Sequence, residues 1–217
     1  NTEMMYPAEA VIRIFKGQYP NLKMPKPKAG DSILDIGCGD GRHFPLFYEL
    51  KAAGTEITPE IVEVLRKRFN GSTRDANNPH DIDIRIGTCA SLPWPDASFD
   101  YLLAWNSCYY MPANTRFEQH AEEMARVLKP GGWLVCSVPK TSCFIFKDAE
   151  LIGGGYVLIK DDYFGLRNGE LMKWFPERSH LEGAFATFFT DFCHADIDID
   201  MFGLAYNWHV FVAERRA

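Results

Sequence analysis

The stretch Ile33-Leu34-Asp35-Ile36-Gly37-Cys38-Gly39-Asp40-Gly41-Arg42-His43 decides how this chain is read. Its first four residues form an apolar run broken only by Asp35, which reads as a buried strand. The run enters a turn with glycine at every second position. Glycine lacks a Cβ, so such a backbone bends tightly and admits a ligand close to it. Amides in a turn of this kind, with a helix start behind them, hold a negatively charged or electron-rich group. The spacing is G-x-G-x-G, whereas a dinucleotide fingerprint is G-x-G-x-x-G.

Outward from this stretch, strands and helices alternate. Apolar residues Ala10, Val11, Ile14 and Phe15 predict an N-terminal helix over 7–19, and a Pro/Lys/Gly linker follows over 20–31. Strand one covers 32–36, a helix 41–50 and a short strand 51–55. Thr58-Pro59-Glu60 opens the next helix, with Thr58 at the cap, Pro59 in the first helical position and Ile61, Val62, Leu65 and Phe69 on its apolar face. A polar loop spans 70–81 and strand three 82–86. Strand four, Phe99 to Trp105, is mostly apolar on both faces, as a central parallel strand is. A helix over 114–128 stops at Lys129-Pro130-Gly131-Gly132, and strand five runs from Trp133 to Val138. The rhythm then breaks. Residues 140–180 hold a glycine triplet and a polar run, and read as an insert covering the ligand edge of the sheet. A helix near 181–192 and strands near 195–201 and 206–214 close the chain. The order predicts one α/β domain over 1–217: three αβα layers, doubly wound, around a mostly parallel seven-stranded sheet with an antiparallel C-terminal strand.

Composition narrows the function. The 217 residues carry a formal net charge of −6 and contain no dense Lys/Arg run, which disfavours a nucleic-acid partner. The six cysteines show no C-x-x-C pair or metal-type spacing. They read as small buried hydrophobes in a reducing compartment, and a cytoplasmic location without metal is expected. No apolar stretch approaches the length of a membrane span, and Asn1 to Pro7 lacks the charged and apolar regions of a signal peptide.

Four motifs, in order over roughly residues 30–139, resemble the class I S-adenosylmethionine (SAM)-dependent methyltransferases. The glycine stretch is similar to motif I. Gly54-Thr55-Glu56-Ile57-Thr58-Pro59-Glu60 resembles the second motif. Ser91 to Asp100 resembles the link into strand four, and Glu123-Met124-Ala125-Arg126-Val127-Leu128-Lys129-Pro130-Gly131-Gly132-Trp133 the stretch leading into strand five. There are two departures. Only 14 residues separate Gly41 from Glu56, so the intervening helix or strand must be short, or a connecting loop is absent. Where members often carry an acidic residue for the adenine, this chain reads Gly87-Thr88-Cys89-Ala90-Ser91, so amides or a hydroxyl would serve there.

The resemblance implies a SAM cofactor and its product S-adenosylhomocysteine. Gly37, Cys38 and Gly39 would wrap the amino-acid end, and Asp35 would either fix the loop or reach the ammonium. Glu56, 19 residues after Gly37, would take the ribose hydroxyls, as the corresponding acid does in dinucleotide folds. Ile57 would pack on the adenine face, Cys89 and Ala90 would flank its edge, and Asn106 would lie near the methionine moiety. Tyr6 would fold over the cofactor, as an N-terminal aromatic does in related small-molecule enzymes. His43 and Tyr109 are the candidate bases, with Tyr110, His180 and His209 behind them. The expected reaction is methyl transfer to a small molecule, of sugar or other metabolite type, by in-line displacement. The alternatives are a catalytically silent SAM-binding regulatory subunit and a protein or RNA methyltransferase. A nicotinamide oxidoreductase fits the glycine spacing poorly.

Overall fold

A computed structural model of the chain describes residues 6–71 and 81–217. Its element order is α1 (Glu9–Lys16), β1 (Ser32–Ile36), β2 (Lys51–Glu56), α2 (Pro59–Asn70), β3 (Asp83–Ile86), β4 (Phe99–Trp105), α3 (Phe117–Val127), β5 (Leu128–Pro139), β6 (Glu150–Gly153), β7 (Tyr156–Leu158), β8 (Leu171–Lys173), α4 (Arg178–Phe185), β9 (Phe189–Met201) and β10 (Leu204–Arg215). Seven strands form one sheet in the order β3-β2-β1-β4-β5-β10-β9. All neighbours are parallel except β10, which runs antiparallel to both β5 and β9. The expected doubly wound sheet with one antiparallel C-terminal strand is therefore the observed one.

Period-two alternation explains the layers. On one face Leu34, Leu102 and Leu134 pack with α3, α4 and the insert. On the other, Ile33, Leu103 and Val135 pack with residues of α1 and α2. The chain crosses from one side of β1 to the other between β3 and β4. That switch point opens a crevice at the carboxyl ends of β1 and its neighbours, where ligands of such sheets bind.

Several expected boundaries are corrected. The helix expected over 41–50 is a 3-10 turn, Phe44–Phe47. Three residues per turn stack Phe44 and Phe47 on one side, where both are buried, and 14 residues leave no room for more. The N-terminal helix is shorter than 7–19, and the helix expected over 114–128 begins at Phe117. Thr58 precedes α2 but its side chain makes no capping bond. The helix expected over 181–192 runs from Arg178 to Phe185, and β9 takes the residues from Phe189 onward. The polar loop expected over 70–81 lies mostly outside the described residues.

The insert forms a three-stranded antiparallel sheet, β6-β7-β8. It is tied to the segment leaving β4: the Met111 amide donates to the Leu171 carbonyl at 2.9 Å and the Lys173 amide to the Tyr109 carbonyl at 2.8 Å. The Phe117 ring meets Phe175 and Phe185 edge-on, so the insert leans on the α3 side. Among the described residues no helix is long and apolar enough to cross a membrane.

Candidate cofactor and acceptor site

The glycine loop after β1 is shaped by its neighbours. Gly37 and Gly39 both have positive φ, +67° and +57°, a region that costs other L-residues about 1–2 kcal/mol. A Cβ on Gly37 would stand 2.7 Å from Ser107 Cβ, whereas one on Gly39 would meet no atom within 4 Å. Gly37 is thus a packing glycine, and Gly39 faces open space. The Cys38 amide donates to the Thr55 carbonyl at 2.9 Å and its thiol is buried in the core, where burial pushes the thiol pKa up. Cys38 shapes the turn through its backbone.

Glu56 ends β2 beside this loop. Its Oε1 accepts from the Gly39 amide at 2.8 Å and its Oε2 from the Ile57 amide at 3.0 Å. Each oxygen keeps a second lone-pair direction for a further donor. Ile57 is 65% exposed, outside the core. Cys89 and Ala90 are the central residues of a tight turn closed by reciprocal Thr88–Ser91 backbone bonds of 3.1 and 3.0 Å. The turn follows Gly87, whose amide donates to the Glu56 carbonyl at 3.1 Å, so the β2 and β3 ends are joined.

Asn106 follows β4 with φ of +57°. Its amide donates to Ser137 Oγ at 2.9 Å, and the Ser137 hydroxyl donates back to Asn106 Oδ1 at 2.7 Å. Ser137 is fully buried on β5. Tyr6 is exposed, at the start of the described chain.

Two further placements concern proton transfer. The His43 side chain is buried under the loop, with Nδ1 3.1 Å from Asp35 Oδ2. An ionised carboxylate only accepts, so Nδ1 carries the hydrogen; Nε2 is buried and has no partner among the described residues. Tyr109 is also buried, stacked on Tyr110 at 4.9 Å. Burial holds its phenol well above the ordinary value, so it stays protonated. Both candidate bases are thus buried. His209 bonds Asp196 at 3.0 Å on the outer hairpin. Arg167 and the buried Asp162, in the polar run of the insert, pair with each other at 3.1 Å. Among the described residues no group of three or more His, Cys, Asp or Glu side chains is placed to hold a metal ion.

The arrangement accommodates an adenosylated amino acid. The space over Gly39 admits close backbone approach. Ser107 Oγ, beside Gly37, is buried without a partner among the described residues, and such a group calls for one. The sequence reading missed both Ser107 and Ser137. Ser137 carries a signal, a lone hydroxyl within the apolar run Trp133 to Val138; Ser107 carries none.

Residues 34–136 match the family model described as methyltransferase domain. The match covers just under half of the chain, and the sheet order and the glycine crevice agree with it. A curated relative, 27-O-demethylrifamycin SV methyltransferase of Amycolatopsis mediterranei, is 34% identical over 110 residues, 49% of this chain and 38% of the relative. Probable tRNA methyltransferase 9B of Bos taurus is 28% identical over 111 residues, 51% of this chain and 22% of the relative. The matched segments thus span less than half the length of these relatives. Among solved structures, a SAM-dependent methyltransferase from Methanosarcina mazei shares the fold with a TM-score of 0.66 and 20% identity, covering 88% of this chain and 94% of that one.

Proposed function

We propose that this chain transfers a methyl group from SAM to a small-molecule acceptor. The observation that carries the reading is the juxtaposition of the open Gly39 backbone, the Glu56 carboxylate bonded to it at 2.8 Å and Asn106 at the end of the neighbouring strand. In this reading Glu56 takes the ribose hydroxyls, and Ser107 with the Gly37–Gly39 backbone takes the amino-acid end. Ile57, Cys89 and Ala90 bracket the adenine, and Tyr6 covers it. When bound, SAM supplies a methyl group on a positive sulfur, already activated for displacement.

The chain's residues then have to hold the acceptor in line with that methyl and keep water out. An amine acceptor asks for no strong base, which suits the interior positions of His43 and Tyr109; a hydroxyl acceptor gives up its proton to solvent. We assign His43 with Asp35 to holding the loop, and no residue as base.

A small acceptor is supported by the name of the rifamycin relative and by the acidic balance of the chain. The tRNA-methyltransferase relative supports a macromolecular acceptor, but the chain's formal net charge of −6 disfavours a phosphate backbone. We read the location as cytoplasmic, which six free thiols support.

The test is release of S-adenosylhomocysteine from SAM with pooled sugar nucleotides, hydroxylated acids, amines, planar phenols and bulk tRNA. Release with one small-molecule pool, weakened in Glu56→Ala, supports the reading. Release with tRNA alone moves the acceptor to nucleic acid. Silence with every pool, despite S-adenosylhomocysteine binding, favours the silent regulatory subunit.

A further inference from the structure

The sequence places the acceptor under the insert at 140–180, but the structure offers a better-equipped cavity on the other side of Asn106. Pro139, the last residue of β5, pairs with Trp208; beyond it β9 and β10 run on as a two-stranded ribbon to the Met201–Leu204 turn. The ribbon is two-faced because side chains alternate along a strand. Asp196, Asp198 and Asp200 fall on one face, and Ile197, Ile199 and Met201 on the other. The apolar face, with Tyr206 and Trp208, walls a groove of about 520 Å³ whose opposite side is the start of α1 and whose end is Trp105 and Asn106.

Three observations say what would fill it. First, the walls are aliphatic and aromatic: Ile199 and Met201 are about half exposed, an unusual outlay of apolar surface unless a ligand covers it. Second, the charges at the rim, Glu9 and Arg13, bond each other at 2.5 Å, so no net charge is offered. Third, Asn106 has a free donor. Its backbone amide donates to Ser137 Oγ and the Ser137 hydroxyl donates to Asn106 Oδ1; with Oδ1 so engaged, Nδ2 is left without a partner among the described residues. The volume is that of a small-ligand pocket, and Asn106 also borders the cofactor crevice.

We propose that this groove is the acceptor site and that it takes an uncharged, ring-bearing molecule whose hydroxyl or carbonyl oxygen accepts a hydrogen bond from Asn106 Nδ2. The proposal rests on the methyl-transfer reading. The ring packs between Trp208 and the Ile197–Ile199–Met201 face, and Asn106 turns the oxygen-bearing edge toward the crevice. Specificity then belongs to the β9–β10 ribbon, and the insert braces the segment leaving β4.

The probe is 2-naphthol, titrated calorimetrically into protein saturated with S-adenosylhomocysteine, with naphthalene as the analogue lacking the oxygen. S-adenosylhomocysteine affinity is measured separately for every variant. The proposal expects 2-naphthol to bind and Ile199→Lys, a half-exposed position, to weaken it by about tenfold or more, with S-adenosylhomocysteine affinity unchanged. It expects Tyr163→Lys, on the exposed insert, to leave 2-naphthol binding intact. It also expects wild type to prefer 2-methoxynaphthalene, whose oxygen can only accept, over naphthalene, and Asn106→Asp, which keeps the Ser137 contact but loses the donor, to lose that preference. Equal 2-naphthol affinity in wild type and Ile199→Lys, or loss in Tyr163→Lys alone, overturns the location. No 2-naphthol binding to the saturated wild type overturns the ligand class, and a preference retained by Asn106→Asp overturns the role of Nδ2. Failure of wild type to bind S-adenosylhomocysteine defeats the functional reading itself and this proposal with it.

Discussion

The Glu56 carboxylate at the end of β2 accepts a hydrogen bond from the Gly39 amide of the loop after β1, at 2.8 Å. One side chain thus holds the glycine loop and faces the crevice that the loop borders. Glu56→Gln keeps the acceptor for Gly39 and removes the charge. Hydrogen bonds to charged groups contribute about 1.5–3 kcal/mol, so the KM for SAM is expected to rise by about tenfold or more. The kcat should change little, because the ribose lies away from the reacting methyl. Steady-state kinetics check this split.

Gly37 and Gly39 separate fold from site. Gly39→Ala meets no atom within 4 Å and carries only the left-handed backbone cost. Its melting temperature should fall by about 2–4 °C per kcal/mol, yet cofactor binding should be lost because a methyl stands in the ligand's space. Gly37→Ala drives a Cβ to 2.7 Å from Ser107 Cβ and should lower melting temperature and binding together. Thermal melts run beside a binding assay read the contrast.

His43→Leu tests the pairing with Asp35. The substitution leaves the Asp35 carboxyl, 2% exposed, without its ring partner, at a cost of about 2–3 kcal/mol. A loop-holding role expects lower stability and weaker cofactor binding. A base would instead lower kcat with melting temperature and binding intact. Urea denaturation and kinetics on one preparation distinguish them.

His120 makes stability depend on pH. It is fully buried on α3, and that burial holds its pKa below the ordinary value, opposed by the hydrogen bond to the Cys108 carbonyl at 2.8 Å. The unfolded chain therefore takes up the proton first, near pH 6.5. Stability from this group is fully present above that pH and is lost as pH falls through it toward the lower folded value. The urea midpoint should drop between pH 7.5 and 5.5, and drop less in His120→Gln. His194, shifted in the same direction by burial, titrates in both proteins and cancels from the comparison.

The sheet was legible because its signals are local. Ile33 to Ile36 and Phe99 to Trp105 are apolar on both faces, and the glycine loop announces itself by spacing. The α4–β9 boundary misled because Leu181, Phe185, Phe188 and Phe192 keep helical spacing past the helix end. Pairing with β10 wins there: Phe189 meets Arg215, and the strand absorbs the misfit with Asp191 at φ of +52° and a register shift between Val212 and Glu214. Ser107 was not legible as a site residue, and Ser137 only as a lone hydroxyl in an apolar run, since their neighbours Gly37, just after β1, and Asn106, just after β4, are brought to them by the sheet. The acceptor groove was hidden for the same reason, because α1 and the β9–β10 ribbon come from opposite ends of the chain.

The most direct test of the cofactor site is calorimetric titration of S-adenosylhomocysteine into wild type and Gly39→Ala under the same conditions. One-to-one binding to wild type, lost in a folded Gly39→Ala, is the expected result. No binding to wild type, or equal affinity in the two proteins, would contradict the assignment of the glycine loop.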